Sequence, residues 1–316
     1  DKTLTADLSF FINSMEGKII SPNNQYPNYF FTYYPDASFI PYTNYDNDRR
    51  TGFDFALNYK KQFGKFYFTA GVTGTYYATK ATKRDDSNFT DTYQYRQGKP
   101  IDALWGYEAI GFFANEDDIT NSPSQSRLSG NIKPGDIKYK DQNGDNYIDN
   151  KDQVNLGRGG WYGSPFTLGI NLTAKYEGFT LFVLGTGGWG GNAFTNNSYY
   201  WIDGEDKYSA VVRNRWTPET ASTATYPRLT TGNGVNNLTN SNFWIYSTNQ
   251  FNLSKVQLTY DFPQQWFRGN GFVHGLSAYV SGNNLLKIAK NREILELNVT
   301  SAPQSRFYNL GVQVTF

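Results

Sequence analysis

Hydrophobic and polar residues alternate along several segments of this chain. In the last ten residues, five apolar side chains fall on one face of an extended strand: Tyr308, Leu310, Val312, Val314 and Phe316. Polar residues and glycine fall on the other face, which is the period of two that a β-strand requires. The same alternation recurs at 4–12, 53–59, 66–76 and 166–176. Each of these segments is therefore predicted to be a strand with one apolar face.

The pattern predicts ten strands that are long enough to cross a membrane. They are 3–13, 49–60, 65–78, 89–97, 103–113, 164–176, 178–188, 246–262, 273–287 and 305–316. A tilted strand needs about ten residues to cross a bilayer, whereas soluble strands average about half that. The polar faces are mostly Thr, Asn, Gly, Ser and Gln, which is typical of the water-filled interior of a membrane barrel. Aromatic residues lie near the strand ends, as in the girdles at the two membrane interfaces. Because lipid tolerates no open sheet edge, the strands are predicted to form a transmembrane antiparallel β-barrel.

The connections between these strands alternate in length. The short ones are 61–64, 97–102, 177–178 and 263–272, one of medium length is 79–88, and the long ones are 14–48, 114–163, 189–245 and 288–304. Outer-membrane barrels combine short periplasmic turns with long outer loops. With the C-terminus on the periplasmic side, every long loop is predicted to be extracellular. The apolar face switches after Leu253, so a bulge is predicted near Ser254 and Lys255.

Composition excludes several classes of chemistry. The 316 residues include no cysteine and one histidine, His274, and the net charge is +1. Disulfides, thiolate metal sites, thiol nucleophiles and histidine-pair metal sites are therefore excluded. The balanced charge offers no basic face for nucleic acid. No carboxylate pair has the spacing of a hydrolase, and His274 is interpreted as a turn residue, so the chain is predicted not to be an enzyme.

Residues 141–152 have the spacing of an EF-hand calcium loop. The predicted ligands are Asp141, Asn143, Asp145, Tyr147 through its carbonyl, Asp149 and Asp152. Asn146 stands where this motif has glycine, and Asp152 is shorter than the usual glutamate. The alternative is an Asp/Asn-rich turn stabilised by its own side-chain hydrogen bonds. A bound Ca²⁺ would brace a loop rather than catalyse a reaction.

Residues 135–140 lead directly into the 141–152 loop, and together they begin with the run GDIKYKDQNGDNYID. This run resembles the "GDIKYKDxNGDGxID" motif of SusC/RagA-type TonB-dependent transporters, a family found in the outer membranes of Bacteroidetes. Further matches follow in the family's order, at 98–113 ("GxPxxxxxGYxxxGxF"), 215–229 ("RWTPEN…YPRL"), 251–263 ("yLRLKNltLgYtlP"), 281–285 ("SGxNLf") and 307–316 ("yslGlnvtF"). The sequence departs from the pattern at Asn146, Asn252 and Ser254. The matches span roughly residues 50–316.

The resemblance implies a 22-stranded barrel in the bacterial outer membrane. Residues 1–316 would form its C-terminal part, about the last ten strands, and the N-terminal plug and the segment that contacts the TonB complex would be absent from this chain. The resemblance also implies a SusD-like surface lipoprotein over the extracellular mouth and TonB-dependent import of oligosaccharides or oligopeptides. Two alternatives stay open: an autonomous ten-stranded outer-membrane barrel acting as an adhesin or rim enzyme, and a soluble β-rich glycan-binding module.

Aromatic residues in or beside the predicted outer loops are candidate substrate contacts. Flat aromatic faces with adjacent acceptors suit sugar rings. The candidates are Trp161, Tyr162, Trp189, Tyr199, Tyr200, Trp201, Asp203, Phe243 and Trp244. The alternative is that they are girdle residues, loop-packing residues or part of the lipoprotein interface.

Overall fold

The computed structural model of the chain is all-β, apart from two one-turn helices and several 3-10 turns among the residues it describes. Those residues are 3–22, 26, 40–86, 89–160, 163–204, 208–232, 234–267, 272–299 and 301–316. The strands are β1 (Leu4–Ile20), β2 (Thr43–Phe63), β3 (Phe66–Lys83), β4 (Ala103–Gly106), β5 (Ala109–Phe112), β6 (Ile137–Tyr139), β7 (Val154–Arg158), β8 (Phe166–Tyr176), β9 (Phe179–Trp189), β10 (Asn192–Phe194), β11 (Ile245–Ser247), β12 (Gln250–Asp261), β13 (Gly275–Ala289) and β14 (Phe307–Thr315). The helices are α1 (Glu116–Thr120) and α2 (Arg292–Leu297). Within the described ranges, no helix is both long and apolar enough to span a membrane.

Eight of the strands form one antiparallel sheet in the order β1-β2-β3-β8-β9-β12-β13-β14. The other six pair as three two-stranded sheets, β4 with β7, β5 with β6, and β10 with β11. The eight strands of the large sheet are arranged in their order along the chain, and each runs opposite to its neighbours. The long connections, 21–42, 84–165, 190–249 and 290–306, therefore all leave the same end of the sheet. This confirms the predicted all-β antiparallel architecture with large loops at one end.

The register aligns the apolar residues into continuous rows across the strands. One row comprises Phe68, Ala174, Leu181, Leu258, Val280 and Leu310. The adjacent row, one residue along each strand, is polar except for Phe182: Thr69, Thr173, Phe182, Gln257, Ser281 and Asn309. The apolar face is open, with Leu310 85% and Phe10 75% exposed. A water-soluble sheet would cover such a face, so the rows are the surface that lipid would contact.

The predicted bulge at Ser254 and Lys255 is confirmed. The pairing of β12 with both of its neighbours shifts between Leu253 and Lys255. The extra residue moves the apolar side chains that follow onto the same face as those that precede it.

Two of the ten predicted strands are wrong. Residues 89–97 contain a short 3-10 turn, Thr92–Gln94, and residues 103–113 form β4 and β5, which pair outside the large sheet. The alternation at 103–113 comes from aromatic residues whose side chains pack within the loops instead of facing lipid. Tyr107 is one of them, at 4% exposed. Both segments lie within the single connection 84–165 between β3 and β8. Long and short connections therefore still alternate along the eight strands of the large sheet.

The compact interior of the chain lies in its loops. We call the described parts of connections 84–165 and 190–249 the loop layer. Its core consists of Tyr107, Ile137, Tyr139, Ile148, Ile202, Val212, Tyr226 and Trp244. The first four come from one connection and the last four from the other. The two connections therefore fold together into one packed unit at the end of the sheet.

Candidate functional site

A close backbone contact joins the two connections of the loop layer. The N–H of Tyr107 donates to the carbonyl of Asn240 at 2.9 Å, and the N–H of Asn242 donates to the carbonyl of Tyr107 at 3.1 Å. A Cβ atom at Gly106 would lie 2.3 Å from the Asn240 carbonyl oxygen. The absence of a side chain at Gly106 is therefore required for this approach.

Buried carboxamides fix the segment after α1 against the second connection. The Gln125 amide donates to the Asn236 side chain at 2.6 Å and accepts from the N–H of Tyr139 at 2.7 Å. The Asn237 side chain accepts from the N–H of Ile137 at 2.8 Å. All three residues are at most 4% exposed. Buried polar groups with complete hydrogen bonding make the relative position of the segments specific.

A buried ion pair holds the loop layer to the end of β3. The Asp102 carboxylate is fully buried, accepts from the Thr79 hydroxyl at 2.6 Å, and lies 3.2 Å from the Arg158 guanidinium. Burial opposes ionisation of Asp102, but the Thr79 hydrogen bond and the Arg158 charge outweigh it and lower the pKa of this carboxyl. Asp102 is therefore ionised at neutral pH.

One cavity of about 350 Å³ lies between the two connections. Trp105, Tyr107 and Gln153 line it from the first connection, and Asn196, Trp201, Leu238, Thr239 and Asn240 line it from the second. We call it the amide cavity. Burial raises the pKa of Tyr107, so its hydroxyl is neutral in the pH range of growth and can donate or accept a hydrogen bond.

Two further cavities, of about 300 and 410 Å³, lie between the loop layer and α2. Both are lined by Thr195, Tyr200, Tyr246 and Ile294, so they form one groove. Burial raises the pKa of Tyr200 and of Tyr246, and both phenols are therefore uncharged. The side chain of Asn291 donates to the Ser247 carbonyl at 3.0 Å and fixes the start of α2 beside the groove.

The predicted aromatic contacts divide between these cavities and packing positions. Trp201 lines the amide cavity, while Tyr200, Phe243 and Trp244 line the groove. Trp244 is only 4% exposed and its indole N–H donates to the Asn237 carbonyl at 2.7 Å. The indole N–H is therefore engaged in packing while the side chain also lines the groove, and substrate contact by Trp244 stays a prediction.

The remaining candidates lie elsewhere. The ring of Trp189 lies 5.6 Å from that of Phe166 at the ends of paired strands, a girdle position. The Tyr199 ring lies edge-on to Tyr200 at 5.0 Å, and exposed Asp203 accepts from the N–H of Gly234 at 2.9 Å. Trp161 and Tyr162 lie outside the described residues. The amides of the cavity, Gln153 and Asn240, were missed because isolated loop amides form no sequence pattern.

The carboxylates of the predicted calcium loop bind the loop's own N–H groups. Asp141 accepts from Gly144 and Asn146 at 2.7 and 2.8 Å, and Asp152 accepts from Gln142 and Asp149 at 2.8 and 2.7 Å. Among the other side chains predicted as ligands, Asn143 and Asp145 each accept from the N–H two residues further on, and Asp149 pairs with Arg127. In the described part of the chain, no three His, Cys, Asp or Glu side chains group as a metal site. This arrangement fits the alternative of a self-stabilised turn better than a calcium cage, and calcium binding stays a prediction.

Negative charge is nevertheless concentrated at this loop. Burial and the neighbouring carboxylates Asp141 and Asp149 raise the pKa of Asp152. Burial, the nearby Asp91, and Asp152, Asp141 and Asp145 of the loop raise the pKa of Tyr93 to about 12.

An antiparallel sheet with an open apolar face and a thick loop layer at one end defines a class of protein, the transmembrane β-sheet proteins of outer membranes. No protein-family model matches the chain. The chain is 27% identical over 240 residues to the TonB-dependent receptor P26 of Formosa agariphila, a match that covers 69% of this chain and 23% of that protein. The chain thus spans about a quarter of the length of this relative.

The fold of this chain is similar to that of solved outer-membrane transport proteins. A chain of the RagAB peptide importer in its open-open state matches 99% of this chain with a TM-score of 0.71 and 17% identity, and 33% of that chain is covered. The RagAB peptide transporter gives a TM-score of 0.69 over 99% of this chain and 34% of that one, also at 17% identity. Together, these similarities confirm the resemblance to SusC/RagA-type TonB-dependent transporters. The proteins matched are receptors and importers, in agreement with the prediction that the chain is not an enzyme.

Proposed function

We propose that this chain is part of an outer-membrane importer that is driven through TonB. The observation that carries the proposal is the sequence similarity to a TonB-dependent receptor, over a chain whose sheet has an open apolar face. A soluble glycan-binding module would leave that face in water, which disfavours this alternative.

In this proposal the eight strands belong to a larger barrel. Both end strands, β1 and β14, have one neighbour within the described sheet, and lipid would require each of them to pair with a further strand. Strands, a plug and a TonB-contacting segment outside this chain would complete the protein. The loop layer would face the cell exterior and the C-terminus the periplasm, as in other outer-membrane barrels.

The proposed cargo is an oligosaccharide or oligopeptide, and the proposed partner is a SusD-like surface lipoprotein over the loop layer. The matched RagAB proteins are a peptide importer and transporter. The groove and the amide cavity supply aromatic and neutral polar surfaces of the kind that bind such oligomers.

Purification of the native protein tests this proposal. Antibody against loop 141–152 would capture the full-length protein from detergent-solubilised outer membrane, and the co-purifying proteins would be identified by mass spectrometry. We expect a surface lipoprotein in the complex and loss of cargo uptake when TonB is deleted. A protein that purifies without a lipoprotein and supports uptake without TonB would refute the proposal and favour the autonomous barrel.

A further inference from the structure

The lining of the amide cavity is polar but carries no formal charge. Its polar groups are the indoles of Trp105 and Trp201, the hydroxyls of Tyr107 and Thr239, and the amides of Gln153, Asn196 and Asn240. None of the described residues that line it is acidic or basic. Its volume of about 350 Å³ lies at the lower end of the range of small-molecule sites, about 300 to 1,000 Å³. One unit of an oligomer is the amount of ligand that fits.

Several of these polar groups retain hydrogen-bonding capacity. The Nε1–H of Trp201 is buried and has no hydrogen-bond partner among the described residues. The Gln153 amide reaches the Tyr107 hydroxyl only at 3.4 Å, and the Asn196 amide reaches the Asn240 side chain only at 3.4 Å. By contrast, the buried amide pair of Gln125 and Asn236, which does not line the cavity, is 2.6 Å apart. A ligand with hydroxyl groups would satisfy these donors and acceptors.

The walls of the cavity are held in place without a ligand. Two backbone hydrogen bonds join Tyr107 to Asn240 and Asn242, as described above. The N–H of Trp201 donates to the Asn197 carbonyl at 2.8 Å, and its ring lies edge-on to Trp244 at 6.0 Å. The guanidinium of Arg96 lies 4.5 Å from the centre of the Trp105 ring. Rigid walls reduce the entropy lost on binding.

This chemistry matches a neutral sugar. Sugar rings present C–H groups that pack on indoles, and hydroxyls that both donate to and accept from carboxamides. A uronate, a sulfated sugar or a peptide terminus would instead place a charge against neutral walls, which is unfavourable without a partner of opposite sign. We propose that the amide cavity binds one unit of a neutral oligosaccharide. The inference rests on the proposed function in one respect, that this oligosaccharide is the imported cargo.

Calorimetric titration of the full-length protein in detergent tests the site. The probes are neutral tetrasaccharides of glucose, xylose, mannose and galactose, with tetragalacturonate and tetra-alanine as charged counterparts. The variants are Asn240→Ala and Gln153→Ala, whose side chains make only long contacts in the fold. The matched control is Asn121→Ala, which removes an exposed amide that donates to the Asp117 carbonyl outside the cavity.

We expect at least one neutral tetrasaccharide to bind, and each cavity variant to weaken that binding about fivefold to tenfold, the effect of one hydrogen bond. The control should bind like the wild type. The proposal is overturned if no neutral tetrasaccharide binds, if tetragalacturonate or tetra-alanine binds more tightly, or if both cavity variants bind like the wild type.

Uptake of the binding sugar in cells with and without TonB separates the two proposals. If the cavity variants weaken sugar binding but uptake persists in cells without TonB, the import function through TonB is refuted and the sugar site is not. If uptake requires TonB but Asn240→Ala and Gln153→Ala bind the sugar as tightly as the wild type, the sugar site is refuted and the import function is not.

Discussion

Replacing Val280 with arginine tests whether the apolar rows of the sheet face lipid. Val280 is 51% exposed and pairs with Leu258 and Leu310 on either side. It lies five residues beyond Gly275, the first residue of β13. At about 3.3 Å per residue and a tilt of about 45°, this places it about 12 Å into the sheet. An apolar band about 25 Å tall therefore has Val280 near its middle.

The expected cost is large for a single substitution. Arginine at the middle of the bilayer costs about 2 to 4 kcal/mol on the lipid face of a barrel. Loss of the valine adds roughly 0.7 kcal/mol, half the value for complete burial, since half of the side chain faces outward. The free energy of unfolding in lipid should therefore fall by about 3 to 5 kcal/mol.

Urea unfolding of the full-length protein in lipid vesicles, followed by tryptophan fluorescence, measures this loss. The matched control is Thr259→Arg, which lies one residue further along β12 than the partner of Val280 and points to the polar face. We expect the control to stay within about 1 kcal/mol of the wild type. If Val280→Arg is as stable as Thr259→Arg, the apolar rows do not face lipid, and the soluble-module alternative regains support.

Three further predictions concern the loop layer. Asp102→Asn leaves Arg158 buried without its counter-charge and should destabilise the loop layer by about 3 to 5 kcal/mol, seen as faster limited proteolysis of the outer loops with the sheet intact. The pKa of Asp102 is lower in the folded protein than in the unfolded chain, so its ionised form stabilises the fold above the usual carboxyl range. This stabilisation is lost as the pH falls through the pKa of the folded state. The wild-type loops should therefore become protease-sensitive in acid, and the Asp102→Asn loops should show a smaller pH dependence. Gly106→Val should separate the backbones at Asn240 and abolish tetrasaccharide binding in the same titration, whereas Gly130→Val, where a Cβ meets no atom within 4 Å, should not. If loop 141–152 binds calcium, about 1 mM Ca²⁺ should protect it from proteolysis in the wild type but not in Asp141→Asn; the same proteolysis rate of the wild type with and without Ca²⁺ would show that it is a self-stabilised turn.

The sequence predicts the sheet well where apolar and polar residues alternate, because there the two faces of the sheet have different surroundings. The bulge at Ser254 was predictable because the apolar face switches there. The ends of β1 and β2 were not, since the pairing continues through Lys18 and Asp48, which form an ion pair at 2.8 Å and show no apolar alternation. Backbone hydrogen bonds and ion pairs between charged side chains maintain the sheet in that region.

The loop layer was less predictable because its order comes from contacts that are distant in sequence. Tyr107 alternates with its neighbours like a strand residue, but its backbone pairs with Asn240. The sequence also does not show that Trp201 lines the amide cavity, whereas Trp244 belongs to the core of the loop layer and lines the groove. Both are tryptophans in the same connection, and the packing between the two connections decides which cavity each one lines.

The sheet and the loop layer are stabilised in different ways, and this has a consequence for selectivity. Phe10 and Leu310 of the sheet are 75% and 85% exposed, so the sheet depends on lipid to cover its outer face. Ile137, Tyr139 and Ile148 of the loop layer are at most 1% exposed and depend on protein packing and buried amides. A substitution in the wall of the amide cavity therefore changes ligand contacts without changing the surface that lipid covers. In the proposed importer, different loop sequences on a constant sheet would change which ligand binds, while the surface that lipid covers is preserved.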